Sequence, residues 1–225
     1  MISSKNSIVI FFLLLVGSAF SQHHHHHKDS SKTANEFMNQ SSMEELIQRF
    51  ESPERDAYQK PDKVIEYLGK IKGKKIMDIG AGTGYFSVKI AQKGANVIAA
   101  DVNEQFQTYL SKRIKDNKIT GIQLRKIPYN SPDLQDKEVD IVFMVNTYHH
   151  IEHRVDYFSK VKPGLKKNGY LVIIDFFKTA DIPVGPPIEH KTSVDEVVSE
   201  LKKAGYTKFD VRVDILPYQY IIKAK

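Results

Sequence analysis

The stretch Ile76-Met77-Asp78-Ile79-Gly80-Ala81-Gly82-Thr83-Gly84-Tyr85-Phe86 decides how the rest of the chain is read. A short apolar run carrying an acid passes through three glycines at alternate positions and then turns amphipathic. That order describes a buried strand, a tight loop and the first turn of a helix. Without Cβ atoms, the loop lets a ligand lie against bare backbone. The spacing is Gly-x-Gly-x-Gly. Tyr85 stands where a dinucleotide-binding loop needs its third glycine, so the motif points away from NAD.

Outward from the loop, the pattern alternates strand and helix. Strands are predicted at 75–79, 96–100, 122–127, 139–145 and 170–176, with helices at 84–93, 104–117 and 152–165. The run Ile141-Val142-Phe143-Met144-Val145 is apolar throughout, as in a strand with both faces covered. Alternation of this kind implies a parallel, right-handed, doubly wound sheet. After a Pro- and Gly-rich loop, Thr192 or Ser193 opens a helix to Ala204. Two closely spaced strands follow, at 209–215 and 218–223, joined by a tight turn at Leu216-Pro217. So short a link makes them antiparallel. The predicted fold class is α/β: a mostly parallel, seven-stranded, doubly wound sheet with a C-terminal antiparallel hairpin.

The second strand ends at Asp101, about twenty residues beyond the glycines, where an acid accepts both hydroxyls of a ribose. Glycine spacing and acid together point to S-adenosylmethionine, with the loop near its methionine end and Asp78 ordering the loop through hydrogen bonds.

These segments resemble the class I S-adenosylmethionine-dependent methyltransferases from about Tyr58 to the C-terminus. The matching motifs are the glycine stretch, the strand ending at Asp101, the run from Val139 to Asn146, and the passage from Leu165 to Asp175. The resemblance implies a cofactor set of Asp78, Gly80, Ala81, Gly82, Gly84, Tyr85, Phe86, Asp101, Val102, Asn103, Ile127, Pro128, Asn146 and Tyr58. Ile127-Pro128-Tyr129-Asn130 would border the adenine; no acid falls at the place where many relatives hold its amine. The end of the fourth strand faces the transferable methyl and reads Asn146-Thr147-Tyr148-His149-His150. It lacks the Asn/Asp-Pro-Pro-aromatic tetrad of nucleic-acid amino-methylating enzymes, which favours a small-molecule acceptor over nucleic acid. His149, Tyr148 and His150 are the candidate catalytic residues, since an imidazole can take a proton as methyl transfer proceeds. In-line displacement rests largely on positioning, so packing is the competing role for these histidines. His190, after the Pro-rich loop, is a further candidate for the pocket.

The N-terminal part divides into a signal peptide (1–21), a His-rich disordered segment (22–33) and a helical cap (34–60), ahead of the methyltransferase domain (61–225). Lys5, the apolar run from Ile8 and the small residues at Ala19 and Ser21 form the export pattern. That run is shorter than the ~20 residues a membrane span needs. The expectation is an exported protein with no membrane span after cleavage, or a membrane anchor if the leader is retained. His23-His24-His25-His26-His27 offers imidazoles to a divalent metal without a fixed scaffold. In the cap, Ser42-x-x-Glu45 reads as a capping box. The polar connector from Glu51 to Pro61 either tethers two helices or folds over a cofactor with Arg55 or Tyr58 pointing in.

Composition narrows the function classes. The 225 residues hold 41% hydrophobic and 27% charged side chains with net charge +6 and no cysteine. Thiolate chemistry, cysteine-bound zinc and disulfides are thereby excluded. The lysines are scattered rather than gathered into a nucleic-acid-binding stripe. A Ser-His-Asp hydrolase lacks its Gly-x-Ser-x-Gly elbow. Besides an enzyme, the residues allow a non-catalytic exported binding module of this fold, linked to metal through the His tract.

Overall fold

The computed structural model describes residues 33–38 and 40–225. The export and His-tract readings lie outside the described residues. Seven strands form one sheet: β1 (Lys75–Ile79), β2 (Asn96–Asp101), β3 (Ile122–Lys126), β4 (Val139–Val145), β5 (Leu165–Phe176), β6 (Phe209–Arg212) and β7 (Gln219–Ala224). Their order is β3-β2-β1-β4-β5-β7-β6. Pairs from β3 through β5 are parallel, while β7 runs antiparallel to both β5 and β6. The order reverses between β1 and β4, which opens a crevice at the carboxyl ends of these strands.

Strand periodicity sorts side chains into two cores. Met77, Ile79, Val142 and Met144 pack with Phe158, Val161, Val197 and Leu201 from α7 (Arg154–Gly164) and α8 (Val194–Lys203). Ile76, Ile141, Phe143 and Val145 face the other way. They meet Val64, Ile65 and Leu68 of α4 (Pro61–Leu68) and Phe86 and Ile90 of α5 (Tyr85–Gln92). Helix α6 (Glu104–Asp116) covers the β2 side through Leu110, which packs with Val88 and Ala99. Both faces of the central strands are therefore dry, which accounts for their unbroken apolar runs.

Among the described residues, three further short helices come before α4: α1 (Ala34–Met38), α2 (Met43–Phe50) and α3 (Pro53–Gln59). Ser42 and Glu45 form the reciprocal capping box that opens α2. The connector after Glu51 is a helix. Ser52 accepts the Glu54 N–H and Pro53 occupies the first turn, where its missing N–H costs nothing. The C-terminal hairpin is antiparallel as expected, but its link is not a tight turn. Strand β6 stops at Arg212, whose guanidinium forks onto Asp214 at 2.7 and 2.9 Å, so a longer link replaces the tight turn. Beyond it, Gln219 and Tyr220 pair with Phe176 and Asp175 of β5 alone. Among the described residues, no helix is long and apolar enough to cross a membrane.

Candidate cofactor and acceptor site

The glycine loop is fixed from below before any ligand is considered. Asp101 accepts the Gly82 N–H on one carboxylate oxygen and the Asn103 N–H on the other, each at 2.8 Å. Burial raises the Asp101 pKa, and these N–H donors pull it back. Asp78 lies buried beneath the loop and accepts the Ser87 hydroxyl at 2.6 Å. Burial pushes its carboxyl up to about 6, against that hydrogen bond and the nearby charge of Arg55. Gly80 and Gly84 have positive φ, and their Cβ positions are already filled, by Thr147 at 2.2 Å and Leu110 at 2.4 Å.

Above the loop is a cavity of about 240 Å³. Its floor is Gly80, Ala81, Gly82, Thr83, Asp101 and Val102; Val145, Asn146, Thr147, His149 and His150 line the β4 end. Phe176, Gly185, Pro186 and His190 close another side, and the N-terminal helices roof it with Ala34, Asn35, Met38, Ser41, Arg49, Phe50, Arg55 and Tyr58. The roof is tied down. Asn35 donates to the His150 carbonyl at 3.0 Å, and Arg113 joins Glu51 at 2.5 Å while donating to the Thr83 carbonyl at 3.0 Å. Phe50 stacks on Phe106 with ring centroids 5.7 Å apart. Tyr58 packs near Phe176 and Tyr218.

Arg55 is buried in this wall. It donates to the Phe50 carbonyl at 2.9 Å and to Gln59 Oε1 at 3.4 Å, and its guanidinium sits 4.0 Å from the Tyr85 ring centre. Among the described residues it has no carboxylate at salt-bridge distance. Burial lowers its pKa, opposed first by Tyr58 and Tyr85 and then by Glu51 and Asp78.

At the other end, His149 Nδ1 lies 2.9 Å from both oxygens of Asp175. The His149 side chain is 4% exposed and that of Asp175 1%. A carboxylate only accepts, so Nδ1–H donates to Asp175, and in the neutral ring Nε2 is the nitrogen without a proton. The His150 ring lies 4.3 Å from that of His149. Burial, with His149 adding to it, drives the His150 pKa down to about 3.

Of the residues read from sequence, the cavity gathers Tyr58, Gly80, Ala81, Gly82, Asp101, Val102, Asn146, His149 and His150. Others stand outside its lining. The Tyr148 side chain is fully buried, stacks on Phe158 and donates its hydroxyl to Glu200, so it faces α7 and α8. Tyr85 bonds Asp56, and Phe86 packs on Phe143. Asn103 caps α6, Ile127 is buried and Pro128 points to solvent. Asp78 and Gly84 support the loop from behind. Asp175 ends a strand motif in the sequence, and its pairing with His149 spans twenty-six residues with no local signal. Phe50, Phe106 and Thr147 also line the cavity without any local sequence signal. Among the described residues, no group of three or more His, Asp or Glu could hold a metal.

The lining suits a nucleoside cofactor with an amino-acid tail. Asp101 keeps lone pairs for hydroxyls, Gly80–Gly82 exposes bare backbone, Phe50 and Phe106 offer an apolar wall, and Arg55 is a cation without a carboxylate. The sheet order is that of the Rossmann-like methyltransferase fold, mostly parallel with C-terminal antiparallel strands. Residues 77–173 match the family model described as a methyltransferase domain. A SAM-dependent methyltransferase from Aquifex aeolicus is 27% identical and superimposes with a TM-score of 0.75, over 82% of this chain and 98% of that one. A tRNA U34 carboxymethyltransferase of Haemophilus influenzae is 27% identical over 160 residues, covering 65% of this chain and 49% of that protein. A ubiquinone biosynthesis O-methyltransferase of Acinetobacter baylyi is 25% identical over 117 residues, 52% of this chain and 48% of that protein. The chain thus spans about half the length of the curated relatives it matches.

Proposed function

We propose that this chain catalyses methyl transfer from S-adenosylmethionine to a protic group of a small-molecule acceptor. The observation that carries the reading is the buried His149–Asp175 pair on the wall of the cavity that also holds Asp101 and the glycine loop. When bound, the cofactor supplies an electrophilic methyl group on a sulfonium. Asp101 would hold the ribose hydroxyls, Arg55 the carboxylate, and Phe50 with Phe106 the base. Asp175 fixes the His149 ring and its tautomer, so that Nε2 takes the proton the acceptor loses. His150 stays neutral beside it and adds no competing charge. The N-terminal helices cover one side of the cavity, which favours a small molecule. Tyr148 is omitted from the machinery because its hydroxyl is committed to Glu200.

Calorimetric titration with S-adenosylhomocysteine tests the cofactor assignment: binding is expected, with a strong loss in Asp101→Ala. Unchanged affinity in that variant would refute the ribose role. Turnover of labelled S-adenosylmethionine with a panel of phenols, amines and carboxylic acids, and with tRNA as a separate arm, tests the acceptor. Labelling of tRNA alone would sink the small-molecule reading. The leader pattern at 1–21 supports export, and mass spectrometry of the mature N-terminus checks it.

A further inference from the structure

Three primary amides from distant parts of the chain close a ring behind the cavity wall. Gln59 Nε2 donates to Gln219 Oε1 at 2.7 Å, Gln219 Nε2 donates to Asn146 Oδ1, and Asn146 Nδ2 returns to Gln59 Oε1 at 3.4 Å. Gln59 ends α3 in the roof, Asn146 follows β4, and Gln219 opens β7. Gln59 and Gln219 are fully buried. Every amide donates once and accepts once around the circle, so turning any one of them over would set donor against donor on one side and acceptor against acceptor on the other, breaking two bonds. Satisfied buried networks of this kind fix one arrangement, whereas partly satisfied ones are costly.

Two members of the cavity wall hang on this ring. Asn146 lines the cavity in a left-handed conformation, φ 54°, with its own N–H bonded to the Ile174 carbonyl. Arg55 shares the Gln59 oxygen. Gln219 is absent from the cavity lining, yet it joins the roof to the strand ends.

We propose that Gln219 is a positioning residue: through the amide ring it sets Asn146 and Arg55, and so couples docking of the α3 roof to cofactor affinity. The inference rests on the cofactor assignment above.

Titration of the full chain with S-adenosylhomocysteine tests it. Gln219→Leu and Gln59→Leu should each weaken binding about tenfold, the worth of a buried hydrogen bond or two. The double variant should lose no more than either single one, because one break opens the ring. Fully additive losses, or wild-type affinity in Gln219→Leu, would overturn the proposal. Gln219→Met guards against simple unfolding. It keeps the length and neutrality of the side chain but cannot donate to Asn146, so it should retain the wild-type circular dichroism and still bind more weakly. Hydrogen exchange gives a second reading: S-adenosylhomocysteine should slow amide exchange in α3 of the wild type, and the slowing should vanish in Gln219→Met. Equal slowing in both would also overturn it. A wild type that fails to bind S-adenosylhomocysteine removes the cofactor assignment and this proposal with it; binding that depends on Asp101 but ignores the ring removes only the ring.

Discussion

Asp175 grips His149 three ways: both carboxylate oxygens lie 2.9 Å from Nδ1, and one also accepts the His149 backbone N–H at 3.3 Å. Asp175 further accepts the Phe176 N–H at 2.8 Å, so the acid is itself held in place. Asp175→Asn keeps the shape and removes the charge that selects the Nδ1–H tautomer. Turnover of a protic acceptor should fall by about 10²-fold or more, in the range a general base contributes. S-adenosylhomocysteine affinity should stay near wild type. Parallel loss of binding would mean that Asp175 organises the whole cavity rather than the base.

His150 ties stability to pH. Its folded pKa of about 3 lies below the ordinary 6.5, so the unfolded chain takes up a proton that the folded chain refuses. The stability contributed by neutral His150 is present above pH 6.5 and drains away as pH falls toward 3. His150→Phe should flatten the dependence of the urea midpoint on pH between about 6.5 and 3. Identical slopes in the two proteins would contradict the burial argument.

Asp78 has the opposite sign. Its folded pKa of about 6 exceeds the ordinary carboxyl value of 3.8, so its contribution is present below 3.8 and lost as pH rises through 6. At pH 7.5 the buried charge costs stability, and Asp78→Asn should recover something on the order of 2–3 kcal/mol there. Near pH 4 the gain should shrink toward zero. Urea denaturation at the two values checks this, and an equal gain at both would refute the assignment. Because the nearby Arg55 loses a balancing charge, cofactor affinity is expected to change in the same variant.

Gly80 combines two constraints, φ of +75° and a Cβ position 2.2 Å from Thr147 Oγ1. Gly80→Ala should destabilise the fold by ~2–4 kcal/mol through left-handed strain and overpacking. Adding Thr147→Gly removes the overlap and should restore part of the loss, leaving the backbone term. No recovery in the double variant would show that strain alone is responsible.

The central sheet was legible because its signals are local and periodic. Strands β1 and β4 bury both faces, so their sequences are unbroken apolar runs, and the glycine loop must be glycine at Gly80 and Gly84 because neighbouring side chains occupy their Cβ space. Asp101 could be found by spacing, since the second strand and its helix have ordinary lengths. The segment around Arg55 was harder: its polar side chains resemble a connector, and the Ser52-Pro53 opening was the one local cue to a helix. Tyr148 and His149 are adjacent in sequence, yet the turn at Tyr148–His150 sends the first toward Glu200 and the second toward the cavity. Local pattern has no means of choosing between such neighbours.

What the sequence by itself determined is the sheet, the loop and the cofactor class, each set by backbone conformation and burial within a few residues. What only the tertiary structure decided is the chemistry of the walls: Asp175 behind His149, Arg55 buried with no carboxylate at salt-bridge distance among the described residues, and the ring of Gln59, Gln219 and Asn146. These contacts join residues 4 to 160 positions apart, and hydrogen-bond partners so chosen depend on where separate strands and helices end in space.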